Sequence, residues 1–314
     1  MNNFPPARPV MMITGLLLAA LAVAARGGDD AEETLFLMMS MPRSGTEWLR
    51  SMLNDHPEIC CDGEPLLRLG RTTGTLSDGE QAAALRDVLV SASAGRSDAH
   101  GVLKPCKKRG ARARGFKWFD GQGGARVDPP NGALGELTTW MGERRVRLIL
   151  LERQGLAKLV SDKLKHRSSQ LGTRAVPTHC RDEACVARVN AQRISLRGDV
   201  AADLDASVAA FGKYVHWARR AVPYDDLLYV RYEDLVDDPE REMRRVYAFL
   251  DVDRAHVTNA SLIVKSVTTP LPDLVDNYAD VAAQLAKSGW ARQVVDSEGE
   301  PRAAARGRTP GRGG

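Results

Sequence analysis

Ser40-Met41-Pro42-Arg43-Ser44-Gly45-Thr46-Glu47-Trp48-Leu49 joins two segments of opposite character. Before it, Leu35-Phe36-Leu37-Met38-Met39 is an unbroken apolar run, the pattern of a strand buried on both faces of a parallel sheet. After it, Trp48, Leu49, Met52 and Leu53 recur at helical spacing. The joint itself is short, contains a glycine, and carries one cation and two hydroxyls. Backbone N–H groups at the start of such a helix have no intrahelical partner, and the helix dipole favours negative charge there, so the stretch predicts a phosphate site. The bland alternative is an Arg-Ser-Gly turn ahead of an ordinary helix. A Walker A loop is excluded, because that loop needs a Gly-Lys pair to reach the outer phosphates and this one has none.

Two later segments have the same build. Val146-Arg147-Leu148-Ile149-Leu150-Leu151 is a second buried strand, followed by Glu152-Arg153-Gln154 and a helical pattern through Leu156, Leu159, Val160 and Leu164. Leu227-Leu228-Tyr229-Val230 is a third, running into Arg231-Tyr232-Glu233-Asp234-Leu235-Val236-Asp237-Asp238-Pro239 and an amphipathic run to Leu250. A helix opening near Pro239 with Glu240 and Glu242 in its first turn suits both the fixed φ of proline and the dipole. Arg231 with Glu233 or Asp234 reads as a structural ion pair. The three strands predict an α/β fold of three layers, a mostly parallel sheet flanked by helices, with ligands at the carboxyl ends of the strands.

Together these segments resemble the sulfotransferases that use 3′-phosphoadenosine 5′-phosphosulfate (PAPS), a family with a P-loop nucleotide-binding-like fold. The first stretch is similar to the family's PRSGTxWL loop, and the third to its VRYEDLVxDP...FL segment. A looser likeness, Lys265-Ser266-Val267-Thr268-Thr269-Pro270-Leu271 through Asp276-Asn277-Tyr278, points to the nodulation and lipid-sulfating branch. The resemblance implies that Arg43, Ser44, Gly45 and Thr46 hold the 5′-phosphosulfate without a metal, and that Trp48 stacks on adenine. It further implies that Arg153 and Ser161 bind the 3′-phosphate and that Lys265 closes over the donor. Arginine suits such a role because its planar fork is always charged and binds two phosphate oxygens at once.

Catalysis would then be charge placement, with Arg43 at the departing phosphate and a base for the acceptor hydroxyl. Asp62-Gly63-Glu64-Pro65-Leu66 is similar to a GEP-like element carrying the glutamate base of carbohydrate-directed members, which nominates Glu64. His56 and His100 are the other candidates. One departure stands out: position 47 is glutamate where a hydroxyl residue is usual. A carboxylate in the first helical turn repels a bound anion if it points inward. Either Glu47 turns away to Arg50 or Arg43, or the chain is a non-catalytic binding or scaffold member with a weakened donor site.

The acceptor is expected to be a hydroxyl compound, a glycan. The region between the donor segments contains a basic run, Lys104 to Arg114, suited to an anionic glycan, and Phe116-Lys117-Trp118-Phe119, where Trp118 is placed to stack on a sugar. A net charge of +4 in 314 residues, with 43% hydrophobic and 27% charged, is ordinary globular usage and argues against a nucleic-acid partner.

Residues 1–28 contain Val10–Ala25, an uncharged apolar run, read as a signal peptide with Ala22-Val23-Ala24 as a cleavage pattern or as a type II membrane anchor. Residues 29–296 form the sulfotransferase domain in this reading, and 297–314 a disordered basic tail. The expected location is the secretory pathway, in the Golgi lumen or secreted. Of the five cysteines, Cys180 and Cys185 flank a short loop they could close, whereas Cys60 and Cys61 read as core residues of a strand. A zinc site at His179-Cys180 lacks a second ligand pair, so no metal is expected. Asn259-Ala260-Ser261 is a glycosylation sequon that matters only in a lumenal protein.

Overall fold

The computed structural model describes residues 33–72, 78–93, 98–99, 101–104, 106–108, 110–128, 130–170, 180, 182–256 and 269–292. The apolar run before the loop is strand β1 (Thr34–Ser40), and the chain continues as α1 (Thr46–Asp55), β2 (Ile59–Asp62), α2 (Pro65–Thr72), α3 (Asp78–Ser93) and β3 (Ala113–Trp118). Next come α4 (Gly132–Glu143), β4 (Arg147–Glu152), α5 (Leu156–Gln170), α6 (Glu183–Asn190), α7 (Val200–Ala221) and β5 (Leu227–Arg231). The short α8 (Tyr232–Asp237), α9 (Pro239–Phe249), α10 (Leu271–Leu274) and α11 (Tyr278–Ala286) follow.

The five strands form one sheet in the order β2-β3-β1-β4-β5, and every pairing is parallel. The expected mostly parallel sheet is therefore wholly parallel among the described residues. Strand β1 lies in the middle, with Met38 beside Lys117 on one side and Ile149 on the other. The chain first builds the β3 side and then crosses to β4, which makes the carboxyl ends of β1 and β4 a topological switch point, the crevice where such sheets take ligands.

Side-chain alternation divides β1 between two cores. Phe36 and Met38 face α1 and α9, packing with Leu49, Met52, Leu53, Val246 and Tyr247. Leu37 and Met39 face the opposite layer with Phe116, Trp118, Leu148 and Leu150. A third cluster joins α5 to α7, α10 and α11 through Leu156, Val160, Leu204, Leu274 and Leu285. Asp238 caps α9 by accepting from the Arg241 N–H at 3.0 Å, one residue before the predicted Pro239 start.

His56 is a structural residue, which removes it as a base. It is fully buried; its Nδ1 accepts from the Glu58 N–H at 3.1 Å, so Nε2 carries the proton and donates to the Asp253 carbonyl at 2.9 Å. Burial lowers its pKa from 6.5, outweighing the Asp253 carbonyl, which raises it. A depressed folded value means that its contribution to stability is complete above the unfolded pKa and lost as pH falls toward the folded one. Chemical denaturation should therefore show wild type losing more stability between about pH 7 and pH 5 than His56→Gln, which has no proton to gain.

Two other expectations change, those for Cys60 and Trp118. Cys60 is bonded to Cys106, while Cys61 on the other face of β2 is the free, buried thiol. Burial pushes that thiol up to about 12. Cys180 and Cys185 are paired, so Cys180 offers no thiolate to zinc. Trp118 is wholly buried, its indole N–H donating to the Gln122 carbonyl at 3.2 Å and its ring edge-on to Trp217, so it cannot stack on a sugar. The basic run is only partly a solvated face: the Lys108 ammonium donates to the carbonyls of Asn54, His56 and Ile59, closing the end of α1.

Candidate active site

The strand-to-helix joint forms a cradle at the switch point. Ser40, buried at the end of β1, donates its hydroxyl to the Leu151 carbonyl at 2.7 Å and so ties the ends of β1 and β4 together. Gly45 is the N-cap of α1 with φ 87° and no side-chain cap. The helical ladder begins with the Leu49 N–H on the Gly45 carbonyl at 3.0 Å, which leaves the amides of Thr46, Glu47 and Trp48 directed out of the helix end. Ser44 is fully buried, and its hydroxyl has no hydrogen-bond partner among the described residues. A buried polar atom without a partner costs free energy, so a hydroxyl held this way beside three free amides fits an anionic ligand.

Arg43 takes the left-handed conformation, φ 65°, uncommon for a residue with a side chain and a source of strain in the loop. Burial pushes its guanidinium pKa down, Asp162 opposes this, and neighbouring Arg153 adds to it; the group remains a cation. Arg153 emerges from the end of β4, donates to the Arg43 carbonyl at 3.0 Å, and lies 4.2 Å above the ring of Tyr232. Tyr232 meets the edge of Trp48 at 5.8 Å, and burial raises its pKa. Ser161, on α5, donates to the Ala157 carbonyl at 2.8 Å, a bond its hydroxyl would give up in order to donate to a phosphate. Next to it, Lys158 and Asp162 form a 2.6 Å pair.

Gly45 has no room for a side chain. A Cβ there would lie 2.6 Å from two carbons of the Tyr232 ring, in addition to the cost of about 1–2 kcal/mol for a left-handed L-residue. Gly45→Ala should thus displace Tyr232 and lower the affinity for an adenosine bisphosphate at least ~10-fold by calorimetry.

Glu47 points neither to solvent nor to Arg43. It accepts from Arg50 Nε at 2.9 Å and from the buried ammonium of Lys117 at 2.8 Å. Burial alone would raise its pKa, but the Arg50 and Lys117 hydrogen bonds prevail and hold the carboxyl at about 2. The same ammonium lies 3.0 Å from Glu64 Oε1, and Gln122 donates to Glu64 Oε2 at 2.9 Å. Arg231 is a mainly exposed partner of Asp234 at 3.8 Å, in keeping with a minor structural pair.

Thus Arg43, Ser44, Gly45, Thr46, Trp48 and Arg153 are brought together with Tyr232, Ser161 stands in α5 beyond the β4 end, and Glu64 is joined to the loop helix through Lys117 and Glu47. Lys265, His100, His179, the sequon and residues 1–32 and 293–314 lie outside the described residues. Among the described residues no group of three or more His, Cys, Asp or Glu is placed to hold a metal ion, and no helix is long and apolar enough to cross a membrane. Ser40, Tyr232 and Lys117 are neighbours of these residues that the pattern of the sequence alone does not reveal.

A wholly parallel α/β sheet with an anion cradle at its switch point suits a protein that binds a nucleotide or another phosphate compound. Comparison with known proteins points to one class of such proteins. A family model described as "Sulfotransferase family" matches residues 179–256. Nodulation protein H of Rhizobium tropici is 24% identical over 262 residues, covering 82% of this chain and 91% of that protein. The chain is thus similar to the sulfotransferases, in one segment by the family model and over most of its length by this relative. Among solved structures, a sulfotransferase from Alicyclobacillus acidocaldarius overlays with a TM-score of 0.40 at 13% identity, covering 85% of this chain and 94% of that one. Mouse sulfotransferase SULT7A1 complexed with PAP overlays with a TM-score of 0.38 at 15% identity, covering 88% and 93%.

Proposed function

We propose that the protein transfers a sulfuryl group from PAPS to a hydroxyl of a carbohydrate. The observation that carries this reading is the buried, unpartnered Ser44 hydroxyl beneath the open amides of α1, flanked by Arg43 and Arg153. Ser44, Gly45, Thr46 and the helix amides would hold the 5′-phosphosulfate, Arg153 and Ser161 the 3′-phosphate, and Trp48 the adenine, with Lys265 completing the donor site. Bound there, the donor supplies an activated sulfur, whose bond to the phosphate oxygen breaks as a bond to the acceptor oxygen forms.

The remaining chemistry belongs to the chain. Arg43, held close by its strained loop, stabilises negative charge growing on the leaving oxygen. Glu64 takes the acceptor proton as its oxygen becomes nucleophilic. The pairing of Glu47 with Arg50 and Lys117 before any ligand arrives favours this reading over a weakened, non-catalytic donor site.

The proposed setting is the secretory pathway, in the Golgi lumen or outside the cell, with residues 1–28 as a signal peptide or anchor, 29–296 as the catalytic domain and 297–314 as a basic tail. The two disulfides support an oxidising compartment. Calorimetry with 3′,5′-adenosine bisphosphate (PAP) against ADP tests the donor assignment. Selective binding of PAP is expected, and equal or absent binding of both overturns it.

A further inference from the structure

Glu47 occupies a position where an anion is expected to be a liability, yet it is bound into a chain of contacts that leads away from the donor. Arg50 Nε, one helical turn on, donates to Glu47 Oε1 at 2.9 Å. Glu47 Oε2 accepts from Lys117 at 2.8 Å, Lys117 meets Glu64 Oε1 at 3.0 Å, and Gln122 holds Glu64 Oε2 at 2.9 Å. Both oxygens of Glu64 are therefore fixed, one by Lys117 and one by Gln122. The Lys117 side chain is 4% exposed, so water cannot replace a missing partner, and a buried ammonium must be matched by anions. Its main chain is fixed as well, the Lys117 N–H donating to the Gly63 carbonyl at 3.0 Å, next to Glu64.

We propose that Glu47 is a positioning residue of the reaction: through the buried ammonium of Lys117 it ties the donor-binding end of α1 to Glu64, so that the donor helix and the base are held in one register. This rests on the assignment of Glu64 as the base under the proposed function. Without Glu47, Lys117 retains one carboxylate instead of two and draws Glu64 out of its place; the acceptor proton then meets a displaced base. A hydroxyl at position 47 leaves the donor site at least as good and impairs turnover.

The test is Glu47→Thr in the full-length protein, with Glu47→Gln as the isosteric variant should threonine impair folding. Two quantities are read: PAP affinity by calorimetry, and release of sulfate from PAPS at saturating donor, with water and with a panel of neutral and anionic oligosaccharides as acceptors. The expected result is PAP affinity equal to or tighter than wild type, with turnover down ~10-fold or more. Lys117→Met should lower turnover at least as far, and the double variant should be no slower than Lys117→Met alone, because both act on one contact chain. A merely structural Glu47 would change melting temperature without this split between affinity and turnover. Turnover of Glu47→Thr equal to or above wild type, or effects that multiply in the double variant, overturns the proposal. Absence of PAP binding by the wild type instead removes the donor assignment, and this inference with it.

Discussion

Replacing Arg153 by alanine is expected to weaken PAP binding at least ~100-fold, the largest loss of any single side chain in the donor site, with the fold intact. Two contacts converge on this residue, and its place after β4 adds a further restraint. Its guanidinium lies over the Tyr232 ring at 4.2 Å, a cation–π contact that restrains the fork. It donates to the Arg43 carbonyl at 3.0 Å, so it also holds the loop that presents the arginine proposed for catalysis. It stands after β4, whose end is tied to β1 by the Ser40 hydroxyl. Under the proposed function, removing it leaves the 3′-phosphate without its fork, and Arg43, already in a left-handed conformation, with one restraint fewer. Arg153→Lys should recover only a small part of the affinity, since a point charge neither stacks nor binds two oxygens in parallel. Calorimetry with PAP checks the loss, and an unchanged melting temperature separates it from unfolding. ADP, which lacks a 3′-phosphate, should bind the variant and the wild type alike.

How much of this was legible in the residues follows from the range of each signal. Strands β1, β4 and β5 are unbroken apolar runs because both faces of the sheet are covered, and local periodicity suffices to read them and the helices that follow. The loop at Arg43–Thr46 was legible because glycine, hydroxyl and cation are all close in sequence. Partners far apart in sequence were not. Lys117 and Glu47 are separated by 70 residues, and only the β3–β1 register, which turns Lys117 toward the α1 layer, brings them together. Trp118, one residue on, faces the other core for the same reason, so an aromatic residue suited to stacking on a sugar became a buried one. Cys60 and Cys61 likewise face opposite sides of β2; alternation sends one to a disulfide and the other into the core, which composition could not distinguish. Tyr232 was hidden by its neighbours, since the charged residues beside it drew the reading toward an ion pair that proves to be 3.8 Å long and largely exposed.

The same register argument gives the largest effect on stability. In β3, Gly115 stands opposite Phe36 of the central strand, and a Cβ at that position would lie 2.2 Å from the Phe36 carbonyl oxygen and 2.6 Å from its ring. The ring could rotate at some cost, but the carbonyl belongs to the sheet and cannot move without opening the β1–β3 ladder. Overpacking a core commonly costs about 1–3 kcal/mol, and a clash with main chain belongs at the upper end of that range or beyond. Gly115→Ala should therefore lower the melting temperature by roughly 6–12 °C, from about 3 kcal/mol at 2–4 °C per kcal/mol for a domain of this size. The damage should reach the site. Phe36 lies on the strand that ends at Ser40, and a shift of β1 along its axis moves the Ser40 hydroxyl from the Leu151 carbonyl and the Arg43–Thr46 loop from the end of β4. PAP affinity should fall together with stability, whereas Arg153→Ala loses affinity alone. A Gly115→Ala protein as stable as wild type would mean that β1 and β3 are not paired in this register, and the placement of Lys117 against Glu47 would fail with it.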